Sequence, residues 1–432
     1  MKQGGNNKSL ILFTNSFPYG NSETFLVEES KYLFKEFNNV DIFPLYIPDG
    51  AELLTCPSNV KVHKPLLPFN HKSKRGFFLH GIFNLAPIKF ALKELYKKRV
   101  FLSFKKFWIW CNYLLIVRTI LGNSKTKKEI IDTIKSNSIL YFYWGDKSAL
   151  ITPFIKKENY KPLVVVRFHG SDLYESTKGY LPFRELLYKH IDYAITISNS
   201  GANYISSNYK NQPKEIKVFK LGCNNPYSFN PQLNEKRESF NIASCSNIIP
   251  LKRVDVIAKA LILIERDAAF IEKCKEMGYI KICWTHFGDG LLIKEIKELI
   301  SSAPKSFIEY NLPGRMPNSN ILEYYSKEYQ HIFINCSSSE GIPVSIMEAL
   351  SFGSFIIAPN VGGVKEIVPK ENSGFGILTE ANISPDNLAT IIKRTIVEYN
   401  NNIPQLARDW WMANWDSRNN YSSFVNFLSN II

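Results

Sequence analysis

Residues 332–358 read IFINCSSSEGIPVSIMEALSFGSFIIA. Ile332–Ile334 has the length and composition of a buried strand, and Phe355–Ala358 is a second. Between them, Pro343 suits the first position of a helix and Gly353 suits its end. Strand, helix, strand is the βαβ unit of a parallel sheet. The amides near Val344 and Ser345 then point out of a helix N-terminus, a ready-made anion site. Glu340, with Gly341 and Ile342, lies in the loop before that helix, and Glu348 lies within it. Both carboxylates can flank a bound anion; the plain alternative is one surface glutamate and one on a helix face.

Working outward, the same alternation covers the chain. Candidate strands are Leu10–Phe13, Val40–Leu45, Ile139–Phe142, Leu163–Phe168, Tyr193–Ile197 and Ile216–Leu221. A second series is Phe240–Cys245, Lys281–Phe287, Phe307–Tyr310 and the two strands quoted above. The polar stretch Asn224–Glu238 between the series reads as a linker. The expected architecture is α/β: two Rossmann-like, doubly wound domains facing across a cleft. They cover residues 1–223 and 239–404, and an aromatic helical tail (405–432) returns to the first domain. Ligands in such sheets bind beyond the carboxyl ends of strands.

A length of 432 residues fits two domains. An apolar content of 45% with 21% charged residues excludes wholesale disorder. The formal charge of +14 comes from one place. Lys61–Lys128 holds 16 bases and a single acid, Glu94, whereas the other 364 residues hold 37 bases and 38 acids. The seven cysteines form no CxxC pair and read as reduced thiols of a cytosolic protein. The longest apolar stretch, Phe107–Val117, is too short to cross a bilayer. No GxGxxG after the first strand, GxxxxGK[ST], HExxH or GxSxG occurs. Dinucleotide, P-loop, zinc-protease and α/β-hydrolase chemistry therefore lose weight.

Three further windows follow strands. SNIIPLKR (Ser246–Arg253) precedes a helix whose buried face is Val254, Ile257, Ala258 and Leu261. Lys252 and Arg253 then sit at the positive end of that helix, which is unfavourable unless an anion is present. A diphosphate held by Lys252 and the amides near Ser345 resolves the conflict; two solvated bases are the alternative. In VVVRFHGSDLYE, His169 stands at a strand end with Gly170 beside it, and Asp172 orients the loop or caps a helix. In NSFPYGNSETF (Asn15–Phe25), Gly20 and Ser22 offer backbone donors to a ligand, or Ser22 and Thr24 simply cap a helix.

Taken together, the SETF loop, HGSD, SNIIPLKR, HFGDG (His286–Gly290), EGIPVSIME and APNVGGVKEIV (Ala358–Val368) resemble the retaining family 4 glycosyltransferases of the GT-B fold. The likeness is to the bacterial branch that builds capsular, exopolysaccharide or lipopolysaccharide chains. It implies that Glu340 binds hydroxyls of the transferring sugar and Glu348 the ribose. It also implies that Lys252 neutralises the leaving diphosphate and His169 contacts the donor sugar. Arg315 and Met316 lie where that family's base-binding loop lies. The implied donor is a UDP- or GDP-linked sugar, with no metal or other cofactor. One departure is Ser246-Asn247, where many relatives carry an arginine; Asn247 is then a smaller phosphate contact, and Lys252 or Arg253 carries more charge.

A sugar-nucleotide epimerase of the same fold is the rival enzyme. A non-enzymatic membrane or nucleic-acid binding protein driven by the basic segment is the rival from another class. In 61–128 the bases are interleaved with Phe77, Phe78, Phe83, Phe90, Tyr96, Phe101, Phe104, Phe107, Trp108 and Trp110. That mixture suits the surface of an anionic membrane, and no nucleic-acid module accompanies it. The expectation is a peripheral protein of the cytoplasmic membrane face with a lipid-linked glycan acceptor and no nucleic-acid partner.

Overall fold

The computed structural model describes residues 8–20, 23–67, 88–155, 161–230, 238–304, 306–369 and 373–432. The chain divides into two compact units, 1–221 with 417–432, and 222–416. Ser22, residues 231–237 of the polar stretch read as a linker, and Phe77, Phe78 and Phe83 lie outside the described residues.

The first unit has a seven-stranded sheet. Its strands are β1 (Ser9–Thr14), β2 (Asn39–Pro44), β3 (Val60–Val62), β4 (Ser138–Phe142), β5 (Leu163–Phe168), β6 (Tyr193–Thr196) and β7 (Glu215–Val218), in the order 3-2-1-4-5-6-7. The second unit has six: β8 (Ser239–Cys245), β9 (Lys281–Phe287), β10 (Ile308–Gly314), β11 (Ile332–Ile334), β12 (Phe355–Pro359) and β13 (Gly376–Thr379), in the order 10-9-8-11-12-13. Every pairing is parallel. Parallel strands covered on both faces need continuous apolar runs, and β1, β4 and β12 are buried along their whole length. In each sheet the strand order reverses once, between β1 and β4 and between β8 and β11. The carboxyl edge at that reversal is where a ligand crevice forms.

The helices that matter below are α1 (Thr24–Glu36), α2 (Ile88–Lys97), α3 (Phe104–Gly122), α4 (Val254–Glu265), α5 (Val344–Ser351), α6 (Ile403–Asn414) and α7 (Ser417–Asn430). Pro343 occupies the cap position of α5 rather than its first turn. The tail splits between the units. Residues up to 416 stay with the second, because Arg408 donates to the Ser351 carbonyl and Trp411 Nε1 reaches Cys223 Sγ at 3.1 Å. Only α7 joins the first unit, packing Phe424 on Tyr141 and Tyr421 on Tyr32. Beneath it lies a buried ion pair, Arg167 to Glu29 at 3.0 Å, with the guanidinium 4.2 Å from the Phe424 ring. Burial pushes the Glu29 carboxyl up, while Arg167 and the Tyr141 hydroxyl pull it down. Among the described residues, no helix is long and apolar enough to cross a membrane.

Candidate active site

In the second unit, the reversal between β8 and β11 opens a cavity of about 430 Å³. Ser246 and Asn247 come from the end of β8, Lys252 from the turn before α4, and Arg315 and Met316 from just after β10. Glu340 and Ile342 come from the loop after β11, and Val344 and Ser345 from the first turn of α5. These nine residues line one space, and all but Ser246 were expected as site residues from sequence. The amides at the start of α5 have no intrahelical acceptor, and no acidic side chain occupies its first turn. That end of the helix is free to receive an anion.

Lys252 Nζ donates to Glu340 Oε1 at 2.6 Å, and Asn335 Nδ2 reaches the same oxygen at 3.2 Å. The cation and the carboxylate assigned to separate parts of a donor therefore hold each other. Glu348 is not a wall of the cavity. It lies buried on α5 and accepts from Asn318 Nδ2 at 2.7 Å. Burial pushes its carboxyl up to about 7, against the pull of that hydrogen bond. Arg253 is also elsewhere. It adopts a left-handed φ of 51° and turns its guanidinium to the carbonyls of Ala381 and Ile383, at 3.2 and 2.8 Å. Gly341 is a backbone support, its carbonyl accepting from Gly363 N at 2.8 Å.

Two glycines and a histidine shape the walls. A Cβ on Gly288 would lie 1.8 Å from the Ser246 carbonyl, and one on Gly362 would lie 1.8 Å from that of Glu340. His286 reads its tautomer from its neighbours. Its Nε2 faces a carbonyl, which can only accept, so Nδ1 is unprotonated and accepts from Ser244 Oγ at 2.8 Å, the hydroxyl itself accepting from Trp284 Nε1 at 2.9 Å. Nε2–H donates to the Ser246 carbonyl at 3.1 Å. Burial lowers the ring to about 4, so the arrangement is neutral at physiological pH. Sequence reasoning noted HFGDG as a motif without seeing this support.

In the first unit, His169 follows β5 and is buried against Trp144 and Tyr143, with ring centroids 4.3 and 4.8 Å away. Neither ring nitrogen has a partner among the described residues. Burial first, and then Arg167, holds the ring well below its ordinary value, so it is neutral. Asp172 fixes the loop by accepting from His169 N at 2.5 Å and Gly145 N at 2.6 Å. Burial, then Asp146, raises its carboxyl to about 7. Gly20 ends the loop after β1, with φ 69° and its N–H bonded to the Glu52 carbonyl. That loop is organised by Glu23, which sequence reasoning missed. Its carboxylate accepts from Asn15 N, Ser16 N, Phe17 N and Trp144 Nε1, at 3.2, 2.7, 2.6 and 2.5 Å. A carboxylate following a loop rich in small residues was the available signal. Among the described residues, no three His, Cys, Asp or Glu side chains are grouped to hold a metal.

Comparison with known proteins agrees with this geometry. Residues 229–402, which include every wall of the cavity, match the family "Glycosyl transferases group 1". Over 174 residues the chain is 25% identical to the phosphatidylinositol N-acetylglucosaminyltransferase gpi3 subunit of Schizosaccharomyces pombe. That segment is 34% of this chain and spans 37% of the relative's length. Among the solved structures that match along nearly the whole chain are two whose names carry sugar or UDP chemistry. A sucrose-phosphate synthase of Thermosynechococcus elongatus has a TM-score of 0.64 at 11% identity, covering 98% of this chain and 99% of its own. HepE of Anabaena in complex with UDP has a TM-score of 0.59 at 14% identity, covering 98% and 100%. The chain has the GT-B fold, and residues 229–402 match the glycosyl transferases group 1 family.

Proposed function

We propose that this chain is a retaining, metal-independent glycosyltransferase that moves a sugar from a UDP- or GDP-linked donor to a glycan acceptor. The observation that carries the reading is the second unit's cavity. A lysine, a glutamate and the open start of a helix converge there at the strand-order reversal of a group 1 domain. The departing nucleoside diphosphate gathers negative charge. The amides of Val344 and Ser345 are fixed in advance to receive it, and Lys252 joins them on leaving Glu340. Release of Lys252 to the phosphate leaves Glu340 to accept hydrogen bonds from the sugar's hydroxyls, while Arg315 and Met316 face the base. Glu348, one turn along α5 from the cavity-lining Val344 and Ser345, is assigned to the ribose in exchange for its bond to Asn318, and His169 to the transferring sugar as a neutral ring. Retention follows from attack on the face the phosphate leaves, with that phosphate taking the acceptor's proton. Glu340 is therefore not a covalent nucleophile.

We further propose that the acceptor is lipid-linked and belongs to bacterial surface polysaccharide synthesis. The protein would then work peripherally at the cytoplasmic membrane face, where its basic segment meets anionic lipid. The name of the Schizosaccharomyces pombe relative, which specifies a phosphatidylinositol acceptor, supports a lipid-linked acceptor. UDP in the HepE structure supports a uridine donor. The test is a panel of nucleotide sugars assayed with and without acceptor. Nucleoside diphosphate released only with acceptor, and a product that keeps the donor's anomeric configuration by NMR, supports the reading. Isomerisation of the sugar nucleotide without acceptor would instead identify an epimerase.

A further inference from the structure

The basic segment forms two chemically different surfaces. One is a groove of about 830 Å³ in the first unit, where Lys61, Lys64, Lys125 and Lys128 stand among Asp41 and Asp132 with no aromatic side chain in its lining. The other is the corner between α2 and α3. Helix α2 buries only Ala91, and the segment's one acid, Glu94, latches it to the unit by accepting from the Tyr180 hydroxyl and from Phe183 N at 2.9 Å. Arg99, at a left-handed φ of 49°, turns the chain sharply. Held this way, the corner cannot fold its own apolar side chains inward. Phe104 is 85% exposed, Tyr96 71% and Leu102 70%, with Trp108 and Phe101 about half exposed. Eight of the sixteen exposed large apolar side chains among the described residues fall within residues 90–108. Lys97, Lys98, Arg99, Lys105 and Lys106, all exposed, are interleaved with them.

A patch of this kind on a water-soluble surface marks an interaction site. Its charge selects the partner. A second copy would set five bases against five, and protein interfaces are depleted of lysine at their centres. Exposed aromatics ringed by bases fit an anionic bilayer, whose headgroups take the charges while its interface takes the rings. We infer that the corner 96–108 is the surface by which this chain sits on an anionic membrane. Phe101, Leu102 and Phe104 enter the headgroup–acyl boundary, and the flanking bases meet lipid phosphates. This deepens the membrane partner proposed above and rests on that reading; the lysine groove is not part of the contact.

The test is flotation of the full chain with phosphatidylcholine vesicles, with and without phosphatidylglycerol. Binding that needs the anionic lipid and weakens with salt is expected. The variant F101S/L102S/F104S should lose at least about tenfold of that partition, while nucleoside diphosphate binding by calorimetry stays unchanged. The groove variant K61S/K64S/K125S should lose less than the corner variant. Equal flotation of the corner variant and the natural chain overturns the inference. So does a concentration-dependent dimer that the corner variant abolishes, which would make a second copy the occupant. Docking that persists in a protein binding no nucleotide sugar would strike the transferase reading and leave the membrane surface standing.

Discussion

The contact between Lys252 and Glu340 makes an unusual demand on the two residues. At 2.6 Å, with the side chains 21% and 9% exposed, the pair attracts by roughly 6 kcal/mol at an effective dielectric of about 20. Desolvation of both groups offsets most of that, leaving a net preference on the order of 1 kcal/mol for a pair still touched by water. An incoming diphosphate must draw Lys252 away from this rival. Glu340→Gln removes the rival and keeps its shape, so nucleoside diphosphate should bind about fivefold more tightly while sugar transfer falls. Lys252→Met removes a charged hydrogen bond of about 1.5–3 kcal/mol and should weaken binding about ten- to a hundredfold. In the double variant the gain from glutamine should vanish, because no lysine remains to be freed. Calorimetric titration with UDP and GDP on the four proteins reads all of this. Weakening by Glu340→Gln as large as that by Lys252→Met would refute the reasoning, as would unchanged affinity in Lys252→Met.

Glu348 predicts a pH effect of definite sign. Its folded value is raised to about 7 from an ordinary 4.5. Its contribution to stability is therefore full below pH 4.5 and lost as pH rises through 7, by about 3 kcal/mol. Glu348→Gln should then gain melting temperature over the natural chain at pH 8 and little at pH 5; an equal change at both pH values contradicts this. His169→Ala should lower kcat by about ten- to a thousandfold with nucleoside diphosphate affinity held within about twofold, since the ring is assigned to the sugar. The neutral ring adds no limb to the rate profile between pH 5 and 8. Gly362→Ala, with φ 52° and a Cβ 1.8 Å from the Glu340 carbonyl, should displace that loop and cost donor affinity at least about tenfold, read by the same titration.

Central strands were legible almost residue by residue, because burial on both faces writes a continuous apolar run into the sequence. Leu163–Phe168, Lys281–Phe287 and Ile332–Ile334 coincide with β5, β9 and β11. The two strands not foreseen, β3 and β13, each lie at one edge of their sheet. Both are short and only partly covered, so VKV and GILT carry no such run. The lining of the second unit's cavity was legible where a residue follows a strand, as for Asn247 and Glu340. It was illegible where backbone conformation decides direction. Lys252 and Arg253 are adjacent and chemically alike, yet the left-handed turn at Arg253 sends one to the cavity and the other to two carbonyls. Contacts that join remote segments, such as Asn318 with Glu348, left no local pattern to find. Arg167, set inside an apolar strand, was a visible sign of a buried partner, but its partner Glu29 lies 138 positions away.

The central claim is that the second unit's cavity holds a sugar nucleotide by its diphosphate, and a thermal-shift screen tests it most directly. A panel of uridine and guanosine diphosphate sugars, run against the natural chain and Lys252→Met, should give at least one member that raises the melting temperature of the natural chain. At a ligand concentration a hundred times its Kd, the stabilisation is about 2.7 kcal/mol. The same compound should give a much smaller shift with Lys252→Met. No stabilisation by any member, or equal stabilisation of both proteins, would contradict the account.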